Sequence, residues 1–326
     1  MFSINVTPKW KDSDAEGEIF SLKISSDASL IGSTLSNGQI ALRSVTTGRL
    51  SYSLTHSAQG FPVTSIRFHP SIPKLFLTIS SDGSIKEWNN SNPQVTWSLP
   101  PNTENSLYAL DYDNSGSRFA TGGSDASIRL YDATTKQLIQ TFSRKKFDMT
   151  SPYGHSDRIY SIKIHPTDDS LMFTGGWDNT IQVWDIRTNS PIAISALYGP
   201  HICGNSLDVK DNLILSGSWR THEQIQIWDM RTFKMIKSLR WSLAGDDHQC
   251  SLYYAQFIPN GKYFIAGGSG VNQLRAFSLE TFSTIGSVLY FESPVFDAGI
   301  LPNCTGIAVG TQKDGISFHP MNVPSL

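Results

Sequence analysis

The stretch GHSDRIYSIKIHPTDDSLMFTGGWDNTIQVWDIR, residues 154–187, decides the fold of this 326-residue chain. Apolar and polar residues alternate over 159–164, which predicts a strand, and the polar segment after it predicts a turn. Further strands are predicted over 171–174 and 181–184, with a tight turn at 177–179 between them. Three short strands make an antiparallel meander that is too small to bury both faces alone. We therefore expect neighbouring copies of this unit.

Six further copies lie along the chain, and the turn aspartate stands six residues before the third-strand aromatic in the best of them, as in Asp82 and Trp88 or Asp125 and Tyr131. The copies are SNGQIALR (36–43), TISSDGSIKEW (78–88), TGGSDASIRLY (121–131), LSGSWRTHEQIQIWDMR (215–231), AGGSGVNQLRAF (266–277) and GTQKDGISFH (310–319). Their spacing of roughly 42 to 53 residues is the period of four-stranded propeller blades.

The order Gly-His, apolar strand, Ser/Thr-Gly-x-x-Asp, alternating strand and Trp-Asp resembles the WD-repeat family of β-propellers. This resemblance covers nearly the whole chain and implies an all-β fold, a single domain over 1–326 with seven four-stranded blades around a central channel. Repeat one departs most from the pattern, with Asn37 for the turn aspartate and Arg43 for the tryptophan. The expected blades span about residues 18–54, 62–99, 106–142, 155–198, 202–239, 249–288 and 293–320.

The N-terminal segment is predicted to close the ring. Residues 2–7 alternate between apolar and polar, whereas blade seven ends after its third strand near His319. An unclosed propeller leaves a sheet edge with unpaired backbone groups. We therefore expect residues 2–7 to form the outer strand of blade seven.

Composition excludes several classes of protein. The net charge of −2 gives no electrostatic basis for nucleic-acid binding. No apolar run reaches membrane-spanning length, and the first residues lack a signal-peptide core. Three widely spaced cysteines indicate reduced thiols and a cytoplasmic protein, with nuclear or cytoskeletal association left open. Metal-binding and phosphate-binding motifs are missing, so we expect no metal, no cofactor and no enzymatic activity.

The resemblance implies a structural hydrogen-bond tetrad in blade four, formed by His155, Thr174, Asp178 and Trp184. A hydroxyl, an imidazole and a carboxylate are also the groups of a hydrolase, but in this pattern the hydroxyl is engaged inside the blade and no oxyanion hole is implied. Blade four is expected to hold the one complete tetrad. Blade two has Gln59 near the histidine position, and blade six keeps His248 but lacks the aspartate and tryptophan.

Two sets of side chains are predicted on the upper face, where outer strands lead into inner strands. Trp177 and Trp219 stand in second-to-third-strand turns, and exposed tryptophan is enriched at binding hot spots. The alternative for Trp177 is packing against Phe147 or Tyr153. Alignment of the inner strands also places five aromatic residues at one shared position, where the family resemblance implies the channel entrance. They are Phe20, Tyr108, Tyr160, Tyr253 and Phe296.

With Arg158 and Arg220 beside them, these aromatic residues suit a peptide with an acidic or aromatic determinant. The alternative is ordinary core between blades. We expect a non-catalytic scaffold that binds a protein or peptide on its upper face as a subunit of a hetero-complex.

Two consecutive Trp-Asp-x-Arg boxes carry a second hypothesis. Asp185 with Arg187 and Asp229 with Arg231 resemble the boxes of substrate receptors of cullin-based ubiquitin ligases, in which the arginine reaches the adaptor subunit. The alternative is a local salt bridge at the bottom of each blade. Both interpretations stay open at this point.

Overall fold

The computed structural model describes residues 2–12, 17–144, 153–188, 190–241 and 249–324. Within these ranges the chain forms 29 β-strands and no helix, arranged as seven blades in a propeller ring. Each inner strand contacts the inner strand of the next blade, and the seventh contacts the first. The described residues thus include no helix with the length and apolarity that a membrane span requires.

Each blade is an antiparallel meander that runs outward from the channel. The N-terminal strands and those of blades one to three are β1 (Ser3–Ile4), β2 (Trp10–Asp12), β3 (Ile19–Ile24), β4 (Leu30–Leu35), β5 (Gln39–Ser44), β6 (Leu50–Thr55), β7 (Val63–Phe68), β8 (Leu75–Ser80), β9 (Ile85–Asn89), β10 (Gln94–Leu99), β11 (Leu107–Tyr112), β12 (Arg118–Gly123), β13 (Ile128–Asp132) and β14 (Leu138–Phe142). Those of blades four to seven are β15 (Ile159–Ile164), β16 (Leu171–Gly176), β17 (Thr180–Asp185), β18 (Ser195–Tyr198), β19 (Leu207–Lys210), β20 (Leu213–Gly217), β21 (Ile225–Asp229), β22 (Lys234–Leu239), β23 (Cys250–Phe257), β24 (Tyr263–Gly270), β25 (Gln273–Ser278), β26 (Thr284–Tyr290), β27 (Val295–Ile300), β28 (Gly306–Thr311) and β29 (Ile316–Asn322).

The hydrophobic core lies between blades rather than within them. Each apolar cluster of the described residues joins one blade to the next, as when Phe173 of blade four packs with Ile202 and Leu207 at the start of blade five. The same holds around the ring, including the joint between blades seven and one. A single blade has no second face against which to bury these side chains, so the blades stabilise one another.

Gly175 shows how closely the blades approach. A Cβ atom at this position would lie 2.2 Å from Cδ1 of Ile202 in the next blade. Gly175 therefore serves the packing of blade four on blade five, since a Cβ atom at this position would force the buried Ile202 side chain to shift.

The N-terminal segment does close blade seven, although not as one strand over residues 2–7. Strand β1 pairs with the end of β29, and β2 pairs with its beginning. Pro8 lies between the two strands and has no N–H to donate to a ladder, which fits the interruption. Blade seven thus has β27, β28 and β29 from the C-terminal region and its outer edge from the N terminus.

Candidate functional site

The structure brings the four predicted tetrad side chains of blade four together. His155 precedes β15, Thr174 lies on β16, Trp184 lies on β17, and Asp178 occupies the turn between β16 and β17. Trp184 Nε1 donates to Thr174 Oγ1 at 2.8 Å, and Thr174 Oγ1 lies 2.7 Å from Nε2 of His155. His155 Nδ1 lies 2.7 Å from Oδ2 of Asp178. Each polar group of this buried chain thus has a partner.

The electrostatics of Asp178 favour the ionised carboxylate. Burial alone would raise the pKa of the carboxyl, but hydrogen bonds from His155, Thr180 and the backbone of Ser156 outweigh it and hold the pKa below its ordinary value. Thr174 is fully buried, with its hydroxyl between the indole and the imidazole. This geometry connects strands β16 and β17 of blade four with the segment before β15 through buried hydrogen bonds.

Blade two holds a second network, which corrects the expectation that its histidine position is filled by Gln59. His56 takes that role: its Nδ1 lies 2.7 Å from Thr78 Oγ1, which also accepts from Trp88 Nε1 at 2.8 Å. His56 Nε2 lies 2.8 Å from Ser84 Oγ, and Ser84 donates in turn to Asp82. The two ring nitrogens of His56 therefore exchange the roles that they have in His155: Nδ1 faces the threonine, and Nε2 faces the aspartate side. Ser84 stands between Nε2 and Asp82 and connects them by hydrogen bonds.

The spacing of the chain explains why this histidine was missed. His155 stands four residues before β15, whereas His56 stands seven residues before β7. A longer loop thus carries the imidazole to the same place in the blade. His248 of blade six and Phe147, named above as a possible neighbour of Trp177, lie outside the described residues.

The five aromatic residues at the shared inner-strand position line one cavity of about 370 Å³ at the upper end of the channel. The Tyr108 and Tyr160 rings stack at 4.7 Å, and Phe20 and Phe296 stack at 6.2 Å. Tyr253 meets Phe296 edge-to-face at 5.0 Å. The rings are partly exposed, Phe20 by 38%, so they form the wall of an open cavity as well as contacts between blades.

Arg67 forms the floor of this cavity. Its Nη2 donates across the channel to Asn205 Oδ1 at 3.0 Å, and its Nε donates to Asp111 Oδ1 at 3.2 Å. Asn205 Nδ2 donates in turn to Asp297 Oδ1 at 3.1 Å. Arg67 also lines a smaller cleft of about 180 Å³ on the lower side, so its side chain lies between the upper cavity and that cleft. Blades two, three, five and seven are thereby joined across the channel.

Trp177 contacts side chains of neighbouring residues on several sides. Its Nε1 donates to Sγ of Cys203 at 3.0 Å, and its ring stacks on Tyr160 at 5.4 Å and on His201 at 5.8 Å. The guanidinium of Arg158 lies 5.1 Å from the ring centre. Trp177 therefore extends the aromatic wall of the cavity outward instead of standing free in the turn.

Trp219 is the exposed member of the predicted pair. The residue is 45% exposed, and its Nε1 donates to the hydroxyl of Tyr253 at 3.0 Å. Arg220 beside it is half-buried and does not line the cavity in the described structure. Its positive charge acts instead on His201, whose pKa is lowered first by burial and then by Arg220.

Comparison with known proteins bears on the fold and the repeats. The family described as "WD domain, G-beta repeat" matches residues 48–89 and 146–185, and the family described as "Anaphase-promoting complex subunit 4 WD40 domain" matches residues 74–163. Together with the seven-bladed ring, these matches support the WD-repeat family. The chain carries WD repeats.

Several WD-repeat relatives are similar to this chain at low identity. Pre-mRNA-processing factor 19 of Mus musculus is 25% identical over 58% of this chain and 34% of its own length. Serine-threonine kinase receptor-associated protein of Dictyostelium discoideum is 26% identical over 75% of this chain and 74% of its own length. Guanine nucleotide-binding protein subunit beta-like protein 1 of Mus musculus is 26% identical over 49% of this chain and 45% of its own length. The chain thus spans about a third of the length of the pre-mRNA-processing factor that it matches.

The Trp-Asp-x-Arg boxes of this WD-repeat chain form local salt bridges on the lower face. Arg187 donates to both oxygens of Asp185, at 3.0 and 2.8 Å, and Arg231 donates to both oxygens of Asp229, at 3.3 and 3.0 Å. The arginine side chains are nevertheless 69% and 68% exposed. The same two-pronged geometry therefore occurs on neighbouring blades, with both guanidinium groups open to solvent.

The charged layer below the aromatic cavity is the part of this WD-repeat site that sequence reasoning missed. In blades one to five, the position three residues after the aromatic position of the inner strand carries a charge: these residues are Lys23, Arg67, Asp111, Lys163 and Asp208. Ion pairs follow from this register: Arg67 pairs with Asp111 at 3.2 Å, and Lys163 pairs with Asp208 at 3.5 Å. The alignment that located the aromatic residues contained this signal, since opposite charges alternate from Arg67 of blade two to Asp208 of blade five at this channel-facing position.

Proposed function

We propose that this chain is a non-catalytic scaffold that holds a protein or peptide partner on its upper face, as one subunit of a larger assembly. The observation that supports it best is the cavity at the upper channel mouth, walled by aromatic residues from five blades, with Arg67 at its lower end. The names of the relatives agree with this role, since one is a receptor-associated protein and another a subunit-like protein.

Trp219 and Tyr253 are the proposed centre of this contact. Trp219 is 45% exposed, and its indole is fixed by the hydrogen bond to the tyrosine hydroxyl, so a partner would meet a large apolar surface in a defined orientation. Pre-ordered aromatic side chains lose little entropy on binding, which is one reason that they dominate binding hot spots. Arg158, stacked on Trp177, adds a positive charge to the same rim.

Two groups of the described residues that could serve as nucleophiles are the Thr174 hydroxyl and the Cys203 thiol. The Thr174 hydroxyl is buried within the tetrad, at hydrogen-bond distance from His155 and Trp184. Burial raises the pKa of the Cys203 thiol to about 11, against the smaller opposite effect of the hydrogen bond from Trp177. A protonated thiol is a poor nucleophile. These features support a binding role.

The test is affinity purification of the full chain followed by mass spectrometry. We compare the wild type with Trp219→Ala plus Tyr253→Ala on the upper face. The matched control is Leu138→Ala plus Met235→Ala, two apolar residues of similar exposure on outer strands β14 and β22. We expect the upper-face variant to lose specific partners that the control retains. An unchanged set of partners in the upper-face variant would overturn the proposal.

A second candidate function is substrate reception for a cullin-based ubiquitin ligase through the lower face. The observation that favours it is the matched pair of exposed guanidinium groups, Arg187 and Arg231, each held by an aspartate. This function predicts that an adaptor subunit co-purifies with the wild type and is lost from Arg187→Ala plus Arg231→Ala. Retention of the adaptor, or its absence from the wild type, would reject the candidate.

We further propose the cytoplasm as the compartment, with nuclear residence as the alternative because one relative is named a pre-mRNA-processing factor. Cell fractionation of the tagged chain separates the two. Recovery in the nuclear fraction alone would contradict a cytoplasmic location.

A further inference from the structure

We propose that the upper cavity receives one tyrosine side chain of the partner, with the ring against the aromatic wall and the hydroxyl on Arg67. This inference rests on the proposed function, because it names the group by which a partner would enter the upper face. The size, the aromatic wall and the charge of the cavity support it.

The size of the cavity suits a single large side chain with the backbone that carries it. Its volume of about 370 Å³ lies at the lower end of the range of roughly 300–1,000 Å³ that is typical of binding pockets. Arg67 lies between this cavity and the cleft on the lower side. An occupant that enters from above would therefore meet its guanidinium at the lower end of the cavity.

The wall favours an aromatic ring over an aliphatic chain. Tyr253 and Phe296 already meet edge-to-face at 5.0 Å, and Tyr108 and Tyr160 stack on the other side at 4.7 Å. Phe20, 38% exposed, leaves part of its ring open. A ring that enters between these groups gains further stacked or edge-to-face contacts, which an aliphatic side chain cannot make.

The charge of the lining argues against a cationic occupant. Among the described residues that line the cavity, Arg67 is the one charged side chain, and no carboxylate is exposed in the lining. A lysine or arginine that reached the floor would meet another positive charge and have no anion beside it. Burial of an unpaired charge is costly.

A carboxylate is also disfavoured. The guanidinium of Arg67 is already paired with Asp111, whose Oδ1 lies 3.2 Å from Nε. A second carboxylate at the floor would stand close to the first, and like charges at such a separation disfavour one another. The charged groups around Arg67 are thus balanced before any ligand arrives.

A phenol avoids both costs. Arg67 donates to Asp111, to Asn205 and to the carbonyl of Ile66, and the guanidinium fork has further N–H groups to donate to a neutral oxygen. Ser161, buried and part of the cavity lining, has an Oγ with no hydrogen-bond partner in the described structure. A tyrosine hydroxyl can accept from the first group, and rotation of the buried Ser161 side chain toward the cavity would let it donate to the second.

The test uses the amides of N-acetylated tyrosine, phenylalanine, arginine and glutamate as probes of the full chain. The readout is the shift of the Ile162 methyl signal, which belongs to the cavity lining. We expect the tyrosine probe to bind about tenfold more tightly than the phenylalanine probe, because a hydrogen bond to a charged group supports that ratio. The arginine and glutamate probes should bind more weakly still.

Two variants and a control locate the binding site of the probes. Phe20→Ala should weaken the tyrosine and phenylalanine probes alike, whereas Ser161→Ala should reduce the preference for tyrosine and leave the phenylalanine probe unchanged. Tyr198→Ala, 62% exposed on the outer strand of blade four, should change neither. Thermal melts establish that each variant is folded before it is titrated.

The outcomes separate this inference from the proposed function. Equal binding of the tyrosine and phenylalanine probes, or tighter binding of the arginine or glutamate probe, would overturn it. The absence of any shift at the solubility limit of the tyrosine probe would do the same. If partner capture depends on Trp219 but the tyrosine probe does not bind, the scaffold function is supported and the tyrosine site is rejected.

Discussion

Arg43 of blade one forms an ion pair with Asp12 of β2, the N-terminal strand that completes blade seven. Arg43 stands where most of the other repeats carry an aromatic residue, and it is 5% exposed. Trp10 on the same strand donates from Nε1 to the carbonyl of Val45 at 2.9 Å. The departure of repeat one from the repeat pattern thus serves the joint between blades one and seven.

Loss of this ion pair should loosen the closure. Arg43→Ala leaves the Asp12 carboxylate without its guanidinium, and we expect a loss of about 1–3 kcal/mol in the free energy of unfolding. Urea denaturation measures it. Arg49→Ala, at an exposed position of the same blade, is the control and should change stability by less than about 0.5 kcal/mol. Equal losses of stability in the two variants would contradict a role of Arg43 in ring closure.

Removal of the turn aspartate should lower the stability of the protein more in blade four, where it belongs to the tetrad, than in blade three. Asp178→Ala leaves His155 Nδ1, Ser156 N and Thr180 without their carboxylate, for a loss of about 2–4 kcal/mol. Asp125→Ala removes exposed contacts to Ser127 and Arg129 and should cost about 0–1 kcal/mol. Similar melting temperatures for the two variants would contradict the structural role of the tetrad.

The histidine of blade two should make stability depend on pH. Burial, followed by the charge of Lys86, lowers the pKa of His56 from 6.5 to about 4 in the folded chain. Between these values the unfolded chain binds the proton more readily, so stability is full above pH 6.5 and declines as the pH falls toward 4. The decline attributable to this shift is about 3 kcal/mol at the usual 1.36 kcal/mol per unit of pKa.

Denaturation curves at several pH values test this assignment. His56→Gln should be less stable at neutral pH and should show a flatter profile between pH 6.5 and 4, whereas His222→Gln, at an exposed position, should follow the wild type. A wild-type profile that is flat over this window would contradict the buried neutral imidazole.

The packing of blade four on blade five should not tolerate a methyl group at position 175. Gly175→Ala places a Cβ atom 2.2 Å from Cδ1 of Ile202, and overpacking of this kind costs about 1–3 kcal/mol. Ile202→Val removes that Cδ1 atom, so the double variant should recover part of the loss. The melting temperatures of both single variants and the double variant form the required cycle. Purely additive losses would exclude this contact as the cause.

The repeats predicted the ring because they recur at a regular spacing along the chain, and the family resemblance implied the tetrad of blade four. The same regularity concealed His56, whose loop is longer than the one before β15. The contacts across the channel could not be read in this way. Arg67 and Asn205 are 138 residues apart, and Asn205 and Asp297 are 92 apart. Such pairs depend on which blades face each other, and the pattern of one blade carries no information on that.

The arrangement of Trp177 also depends on its neighbours. Its type and position predicted an exposed anchor, yet His201 and Cys203 of the following connection join Arg158 and Tyr160 around it. Trp219, in the same turn of the next blade, is 45% exposed. Two equivalent positions thus differ in exposure because the residues that follow them differ.

Site-specific photo-crosslinking tests the upper-face claim most directly. A photoreactive amino acid replaces Trp219 at the cavity rim, Arg231 on the lower face or Leu138 on an outer strand, and each chain is irradiated in cell extract. We predict a specific crosslinked partner from position 219, with none from 138 or 231. A partner crosslinked from position 231 or 138 and absent at position 219 would contradict a scaffold that binds through its upper face.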